Sequence, residues 1–459
     1  MARASTATLT NAATLSRRIA QGARQLTAAQ LPRDAVEKVK ISLLDMLSCA
    51  LQARELPPGR QVIEIASRAA GGKATVIGTP YRVSASDAAF ANGTLAHGLV
   101  REDMHTGSVS HLGVVIFPTL LALAQRRPVT GNAFILAAIC GYEVGASLGR
   151  ALVDRDFVRL YRPTGTTGPI GGAVAGSILL SLDEGAIASA VGLAANMTGG
   201  LNEWPYSGGD EMFFHAGFAA RNAVTAVELA ELGAVASETA LDGPSGLFAA
   251  LGRSERVGKV SPFSGPELEI MSVYHKPAPA CNYAQTACQA ALALAVDQGV
   301  NSRDIAGVQI KCSAAAITYP GCNFAGPFER ILQAKMSIPY CVAATLAQAK
   351  IDEANYHLLS DPELARLVAA TTLEEDGSFT EAYPGEQGAE VAVTLASGET
   401  RRHRMRDLVP ANPNQIRARF RSASETAFGE KTTTEIEAAI DRLETQSDVG
   451  MLAALLSRS

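Results

Sequence analysis

The chain has 459 residues, of which 47% are hydrophobic and 19% charged, and its formal net charge is −5. This much apolar material supports a large folded core, excludes an intrinsically disordered chain and favours two or three structural domains. Lysine and arginine form no long run, so we expect no nucleic-acid partner. The seven cysteines include no CxxC pair. Free thiols in a reducing cytoplasm fit this spacing, and neither a zinc site nor an iron–sulfur cluster is predicted.

The N-terminal segment lacks the apolar core of a secretory signal. It is rich in Arg, Ser, Thr and Ala and has no acidic residue before Asp34, a composition that also suits a transit peptide. The simpler prediction is a helical start and a cytoplasmic protein. Residues 163–182 and 185–202 are uncharged over about the length of a membrane span. Because small residues dominate both stretches, we predict helices packed inside the protein and no membrane partner.

Helical periodicity runs through nearly every segment from residue 28 to about 251. Residues 72–84 are a short exception to this helical periodicity and contain a predicted turn at Thr79-Pro80. Around 258–269 the chain becomes a Pro/Gly-punctuated linker.

Beyond this linker, strand-like alternation appears. The predicted strands are 305–313, 388–395 and 399–405, with a hairpin turn between the last two. Helices are predicted at 282–298 and 339–349, and amphipathic helices return after residue 412. The sequence therefore predicts a mainly α fold: a large helical domain from residues 1–268 and 410–459, and a smaller α+β lid domain from 269–409.

Three of the seven histidines, His97, His105 and His111, lie within 15 residues, with Glu102 and Asp103 among them. An apolar segment follows directly. A polar cluster beside a buried helix is a place where acid–base chemistry can be arranged away from bulk water. The alternative is a satisfied loop whose histidines cap helices, and the residues alone leave both readings open.

A second motif, GTTGPIGG at 165–172, is glycine-rich, but no apolar strand precedes it, which argues against a dinucleotide site. It is better read as a helix N-terminus that favours an anion. Gly165 and Thr166 open it, and Tyr161 and Arg162 stand just before it, suited to a carboxylate. A helix that packs through small residues is compatible with the same role.

Two lysines have the same ambiguity. Lys276 lies on a loop stiffened by prolines, where it is predicted to hold a carboxylate or act as a base, or simply to be a surface lysine. Lys335 precedes an apolar helix. It is interpreted either as a second carboxylate ligand or as an exposed residue. His215 is read as a helix-capping residue or an acid–base group.

Taken in order, the motifs NG…H…ED.H…H, RPTGT.G, GG……FHAGFAARN, K.P.P.C and AK.S.PY.VA resemble the MmgE/PrpD family. This family includes 2-methylcitrate dehydratase, cis-aconitate decarboxylase and iminodisuccinate epimerase, and the resemblance covers about residues 10–440. It implies a homodimer with a cofactor-free active site between a helical domain and a lid. It also implies catalytic roles for His111, Asp103 and Lys276, and a substrate-binding role for Lys335.

The chain departs from the family pattern at four positions. Val100 stands where an Asp is usual, Met104 where a Thr is, Arg162 where a His is, and Met212 where a Lys is. A fixed guanidinium in place of an imidazole changes carboxylate recognition. The sequence therefore predicts a divergent member whose substrate differs.

The resulting hypothesis is a cofactor-independent, metal-independent lyase of dehydratase type that acts on a small hydroxy-polycarboxylate. His111 is its acid or base, tuned by Asp103, and His105 is a second acid–base candidate. Lys276 stabilises the enediolate, while Arg162, Tyr161, Gly165, Thr166, Lys335 and His97 are predicted to bind substrate. The alternatives are an epimerase of an amino or imino dicarboxylate, a cis-aconitate-type decarboxylase, and a non-catalytic polycarboxylate-binding protein.

Overall fold

Helices form the N-terminal part of the structure, a computed structural model that describes residues 13–458. The helical start is observed from Leu15, whereas residues 1–12 of the transit-peptide alternative lie outside the described residues. The helices are α1 (Leu15–Gln25), α2 (Arg33–Ala53), α3 (Pro57–Arg68), α4 (Ala85–His97), α5 (Gly113–Ala124), α6 (Gly131–Leu152), α7 (Arg155–Leu160), α8 (Pro163–Leu179), α9 (Glu184–Ala195), α10 (Trp204–Ser207), α11 (Glu211–Glu231) and α12 (Leu247–Ala250).

The centre of this part is α8, which packs against α5, α6 and α11. A Cβ added to Gly171 of α8 would lie 2.8 Å from the carbonyl oxygen of Gly141 in α6, so the two helices touch through backbone. This confirms the prediction that residues 163–182 form a helix packed inside the protein. Helix α6 is long and apolar enough to cross a membrane, but 83% of its most apolar window is buried inside the fold, as in a core helix.

Two small antiparallel pairs interrupt the helices. Strands β1 (Ala74–Thr75) and β2 (Arg82–Val83) form a hairpin within residues 72–84, the segment predicted to interrupt the helices. Strand β3 (Met104–His105) pairs with β4 (Val273–Tyr274), with Met104 opposite Tyr274. This second pair joins two segments that are remote in sequence. We call residues 97–112 the histidine loop and residues 275–284 the lysine loop.

A four-stranded sheet and six helices make up the next part. The elements are α13 (Gln285–Val296), β5 (Ile305–Cys312), α14 (Ala314–Thr318), α15 (Ile331–Met336), α16 (Ile338–Gln348), α17 (Pro362–Ala369), β6 (Thr371–Glu375), α18 (Gly377–Ala382), β7 (Ala389–Leu395) and β8 (Thr400–Met405). The strand order is β6-β5-β7-β8, with β5 parallel to β6 and antiparallel to β7. The three predicted strands are thereby confirmed, whereas β6 was missed because its sequence TTLEE is polar and half exposed.

The tail returns to helices α19 (Pro413–Phe428), α20 (Glu430–Asp441) and α21 (Gly450–Leu455). Helix α19 packs against α2, and Arg419 of α19 donates hydrogen bonds of 3.0 and 2.9 Å to the carbonyl oxygens of Lys276 and Pro277. The fold is therefore mainly α with a smaller α+β part, as predicted. The limits at residues 268 and 410 stay a prediction.

Candidate active site

The centre of the candidate site is a buried carboxylate between two imidazoles of the histidine loop. His97, the last residue of α4, has Nδ1 2.5 Å from Glu102 Oε1. His111 Nδ1 lies 3.0 Å from the same oxygen and 3.0 Å from the carbonyl oxygen of Asp103. All three side chains are buried. Glu102 therefore accepts a hydrogen bond from His97 and lies within ion-pair distance of His111, whose N–H bonds the Asp103 carbonyl.

The partners fix which ring nitrogens carry protons. Arg162 Nη2 donates to His97 Nε2 over 3.0 Å, so the proton of His97 resides on Nδ1. His111 Nδ1 faces only oxygen acceptors and must also be protonated. Its Nε2 has no hydrogen-bond partner among residues 13–458, and His111 lines a cavity. A lone pair on Nε2 is thus left free for a ligand.

Burial strongly affects the protonation of His111 and Glu102. It lowers the pKa of His111 to about 3 against the opposing effect of Glu102, so the imidazole is neutral near pH 7. Burial alone would raise the pKa of Glu102, but His97 and His111 outweigh it and hold that pKa well below its usual value. The arrangement is an ionised carboxylate behind a neutral imidazole, which suits a general base.

Asp103 has a different place from the one predicted. Its side chain accepts hydrogen bonds from the Tyr142 hydroxyl and from the backbone N–H of Gly113, at 3.2 Å in the second case. Only its backbone carbonyl reaches His111. The carboxylate that contacts His111 is that of Glu102, while Asp103 ties the histidine loop to the start of α5. The physical reason is that the chain bends at Glu102, so the side chains of these two adjacent residues point in different directions.

Lys276 lies beside the cluster although it is remote in sequence. Its side chain is fully buried, and Nζ donates to the carbonyl oxygen of Val100 in the histidine loop. Burial lowers the pKa of Lys276 to about 8, opposed by Glu102 and assisted by Arg162. The β3–β4 pair holds the two loops together here, and the bonds from Arg419 anchor the lysine loop to α19.

Residues of both loops line a cavity of about 20 Å³. Its polar and titratable walls are His111, Arg162, Cys281, Asn282, Tyr283 and Tyr319, and its apolar walls are Val100, Met104, Val109 and Met336. Arg162 is 5% exposed and lies over the ring of Trp204, 5.8 Å from its centroid. A cation, a neutral base and several hydroxyls or thiols thus meet in one enclosed space.

Three of the four positions that depart from the family pattern line this cavity: Val100, Met104 and Arg162. The fourth, Met212, is buried outside it. Val100 and Val109 also have positive φ angles of 58° and 48°, rare for β-branched residues and costly unless the surroundings enforce them. These three departures from the family motifs therefore lie where a ligand would bind.

Two predicted site residues are engaged elsewhere. His105 Nδ1 is paired with Ser108, and its Nε2 lies 3.1 Å from Glu269. Lys335 Nζ donates to the carbonyl oxygen of Leu99 over 2.8 Å and lies 2.7 Å from Glu353. Through these contacts both side chains tie separate segments together, and their roles in the site stay predictions.

The residues around Arg162 support it rather than line the cavity. The Tyr161 ring packs on Phe157, with centroids 5.3 Å apart. A Cβ on Gly165 would meet the Gly199 carbonyl oxygen at 2.4 Å, and Thr166 Oγ1 donates to the Arg162 carbonyl. These residues fix the start of α8, which positions Arg162.

Sequence reasoning missed several residues of the site. Thr164 Oγ1 accepts a hydrogen bond of 3.0 Å from the His111 backbone N–H. Cys281, Tyr283 and Tyr319 line the cavity. Cys281 belongs to the K.P.P.C motif and Thr164 to RPTGT, so their motifs carried a signal, whereas Tyr319 reaches the site only through the tertiary fold.

His97, Glu102 and His111 offer three ligand atoms that lie within 4.8 Å of one another, a spacing open to a metal ion. Two observations count against that use. Arg162 occupies His97 Nε2, and both Arg162 and Lys276 place positive charge at His97. The two N–H···carboxylate contacts account for the geometry on their own.

A larger groove of about 330 Å³ adjoins the cavity and shares Val109, Tyr283 and Tyr319 with it. One wall comes from residues 106–109 and 153–158, the other from residues 314–319 and 383–384. The groove therefore lies between the helical part and the sheet part.

A helical fold with a smaller sheet part and a buried base beside two cations defines a class of protein suited to carboxylate chemistry. The MmgE/PrpD N-terminal domain model matches residues 17–259, and the MmgE/PrpD C-terminal domain model matches residues 278–445. The chain belongs to the MmgE/PrpD family. It is 28% identical over 471 aligned positions to the cis-aconitate decarboxylase-like protein oryM of Aspergillus oryzae, covering 94% of this chain and 95% of that protein. It is also 28% identical to the cis-aconitate decarboxylase of Aspergillus terreus, over 50% of this chain and 48% of that enzyme.

Proposed function

We propose that this protein is a cofactor-independent lyase that moves a proton at carbon next to a carboxylate of a small di- or tricarboxylate. The observation that carries the proposal is the neutral His111, whose Nε2 is free and which lines the same cavity as Arg162. A carbon acid of this kind is weak, so it needs both a base and stabilisation of the enediolate.

His111 is the base in this proposal. A bound polycarboxylate adds negative charge to the cavity, which raises the pKa of the imidazole from its low resting value. As Nε2 takes the proton, Glu102 stabilises the imidazolium through Nδ1 over 3.0 Å. Desolvation of the site strengthens this effect.

The two cations, Arg162 and Lys276, bind the substrate and stabilise the negative charge that develops on it. Arg162 binds a substrate carboxylate from the cavity wall. The buried ammonium of Lys276 places positive charge near the developing enediolate, and buried cations stabilise such charge more strongly than cations in water. His97 orients Arg162 through their 3.0 Å contact.

Dehydration of a hydroxy-polycarboxylate is the first form of the reaction, because a neutral resting His111 is set to abstract a proton. The departing hydroxyl takes a proton from a hydroxyl of the cavity wall, Tyr283 or Tyr319. Decarboxylation is the second candidate. It is favoured by the decarboxylase-like relative that matches nearly the whole chain.

A cavity of about 20 Å³ has room for about one water molecule and is too small for a tricarboxylate. The sheet part must move to admit substrate, and we propose the adjoining groove as the entrance. A homodimer belongs to the same proposal, and mass photometry of the purified protein tests it.

The experiment that tests the function is a screen of small di- and tricarboxylates in deuterated water, followed by proton NMR. Dehydration creates a vinyl signal, and decarboxylation releases carbon dioxide with one deuterium in the product. Epimerisation exchanges the α-hydrogen without a new double bond. If no acid in the screen exchanges or reacts, yet several raise the melting temperature, the protein is a non-catalytic binder and the proposal is wrong.

A further inference from the structure

Cys281 is a titratable side chain of the cavity wall that the mechanism above does not use. It lies on the lysine loop, immediately before the short helical turn Asn282–Ala284, and is 3% exposed. His111 lines the same cavity from the histidine loop. Acid–base groups from two separate segments therefore border one small space.

The surroundings of the Cys281 sulfur stabilise the thiolate that remains once the thiol has given up its proton. The Cys322 thiol lies 3.4 Å away, sulfur to sulfur, and is free to donate a hydrogen bond. The Tyr283 backbone N–H also points to the sulfur, and Lys276 and Arg162 supply positive charge. Burial by itself would raise the pKa of Cys281, but these partners outweigh burial and lower it. A thiol whose pKa is lowered in this way gives up its proton more readily than an ordinary buried thiol.

The contrast with the other cysteines makes the assignment specific. Burial raises the pKa of Cys49 and Cys312 to about 12 and also raises that of Cys140, and none of the three lines the cavity. Cys281 alone among the cavity-lining residues carries a sulfur that can gain and lose a proton.

We propose that Cys281 is a further catalytic residue, which delivers a proton to the substrate carbon from a different wall of the cavity than His111. The inference rests on the proposed function and sharpens it. A proton donor for carbon is needed in decarboxylation and epimerisation, whereas forward dehydration needs a donor only for oxygen.

In decarboxylation the bond between carbon and the departing carboxylate breaks, carbon dioxide leaves, and the electron pair forms the enediolate. The S–H bond of Cys281 then breaks as the new C–H bond forms, leaving a thiolate beside Lys276 and Arg162. The thiolate regains a proton from water when product leaves. In epimerisation His111 removes the original proton and Cys281 supplies the new one, so charge and protons balance in both cases.

The test compares Cys281→Ser with Cys288→Ser, a buried cysteine outside the cavity, on an acid that the wild-type enzyme decarboxylates or epimerises. A wild-type enzyme that only dehydrates its substrate would overturn the inference. Serine keeps the size of the side chain but is a far weaker acid. We expect kcat to fall by ~10²–10⁴ in Cys281→Ser with KM nearly unchanged, because a general acid contributes about this factor. Cys288→Ser should keep kcat within a few-fold of wild type.

A second readout separates catalysis from folding. Iodoacetate should alkylate Cys281 in the wild-type protein, and a bound polycarboxylate should protect it, as peptide mass spectrometry of the intact chain will show. Wild-type kcat in Cys281→Ser, or an equal fall in kcat in Cys288→Ser, would overturn the inference. A wild-type protein that converts no acid would instead defeat the proposed function itself, so the two failures are distinguishable.

Discussion

His111 and Glu102 form a buried pair in which the imidazole Nδ1 lies 3.0 Å from the carboxylate Oε1, while Nε2 is left to the cavity. The same oxygen accepts a hydrogen bond from His97. One carboxylate thus orients two imidazoles, and through His97 it also orients Arg162. Base, cation and carboxylate form one connected unit.

The first prediction concerns which carboxylate matters for catalysis. Glu102→Gln should lower kcat by ~10²–10⁴, because an amide cannot stabilise the imidazolium that forms on His111. Asp103→Asn is the matched control. Its side chain bonds Tyr142 and Gly113, so it should lower the melting temperature more than the rate. Steady-state kinetics and thermal melts check both, and a larger loss of kcat in Asp103→Asn would contradict the account.

The second prediction is an alkaline limit set by Lys276. Its pKa is lowered to about 8 by burial, so the ammonium is present below that pH and is lost as pH rises through it. We expect kcat/KM to fall between pH 7 and pH 9. Lys276→Met should give a low kcat/KM without that limb, whereas Lys350→Met, at an exposed site, should keep it. An unchanged limb in Lys276→Met would show that another group titrates.

The third prediction concerns stability and Asp45 of α2. This carboxyl is fully buried, and neither oxygen has a hydrogen-bond partner among the described residues. Burial raises its pKa from 3.8 to about 7. Between these two pH values the folded state keeps a proton on Asp45 that the unfolded state has lost. The free energy of unfolding therefore falls as pH rises from about 4 to 7.

Asp45→Asn should remove this loss and stabilise the protein at pH 8 by as much as ~4 kcal/mol, at about 1.4 kcal/mol per pKa unit. Melting temperatures at pH 5 and pH 8 measure it. Asp34→Asn, at an exposed position, serves as the control. Parallel pH dependence in wild type and Asp45→Asn would mean that Asp45 is ionised in the folded state.

The fourth prediction tests the entrance. Ala315 lines the groove that adjoins the cavity, and Ala315→Trp should fill it. We expect kcat/KM to fall at least tenfold, with kcat at saturating substrate less affected, because entry and not chemistry is hindered. Ala365→Trp, on the exposed side of α17, should leave both constants nearly unchanged. Equal kcat/KM in the two variants would place the entrance elsewhere.

Much of the fold follows from local pattern. Helical periodicity and small-residue composition predicted α8, and the alternation in 388–395 and 399–405 predicted the β7–β8 hairpin. Strand β6 escaped because an edge strand that is largely exposed needs no apolar alternation. Strand β6 forms because it pairs with β5. The sequence of a segment does not show which strand it will pair with.

The candidate site could be predicted only in part. The histidine loop and Lys276 were identified from their motifs, and the β3–β4 pair explains why they meet. The sequence could not show whether Glu102 or Asp103 contacts His111. The local backbone conformation decides which of two adjacent carboxylates points toward the imidazole. The motif of Lys335 predicted a substrate ligand, and the structure places its ammonium 2.7 Å from Glu353, which tertiary folding brings close. The ligand role of Lys335 stays a prediction.

The most direct test of the central claim, that His111 Nε2 moves a carbon-bound proton, is the rate of deuterium incorporation from solvent into a substrate identified in the screen. His111→Asn keeps a side-chain N–H donor near Glu102 but removes the base. The account predicts that the folded variant, verified by circular dichroism, incorporates deuterium at least ~10²-fold more slowly than wild type. Incorporation at the wild-type rate would contradict it.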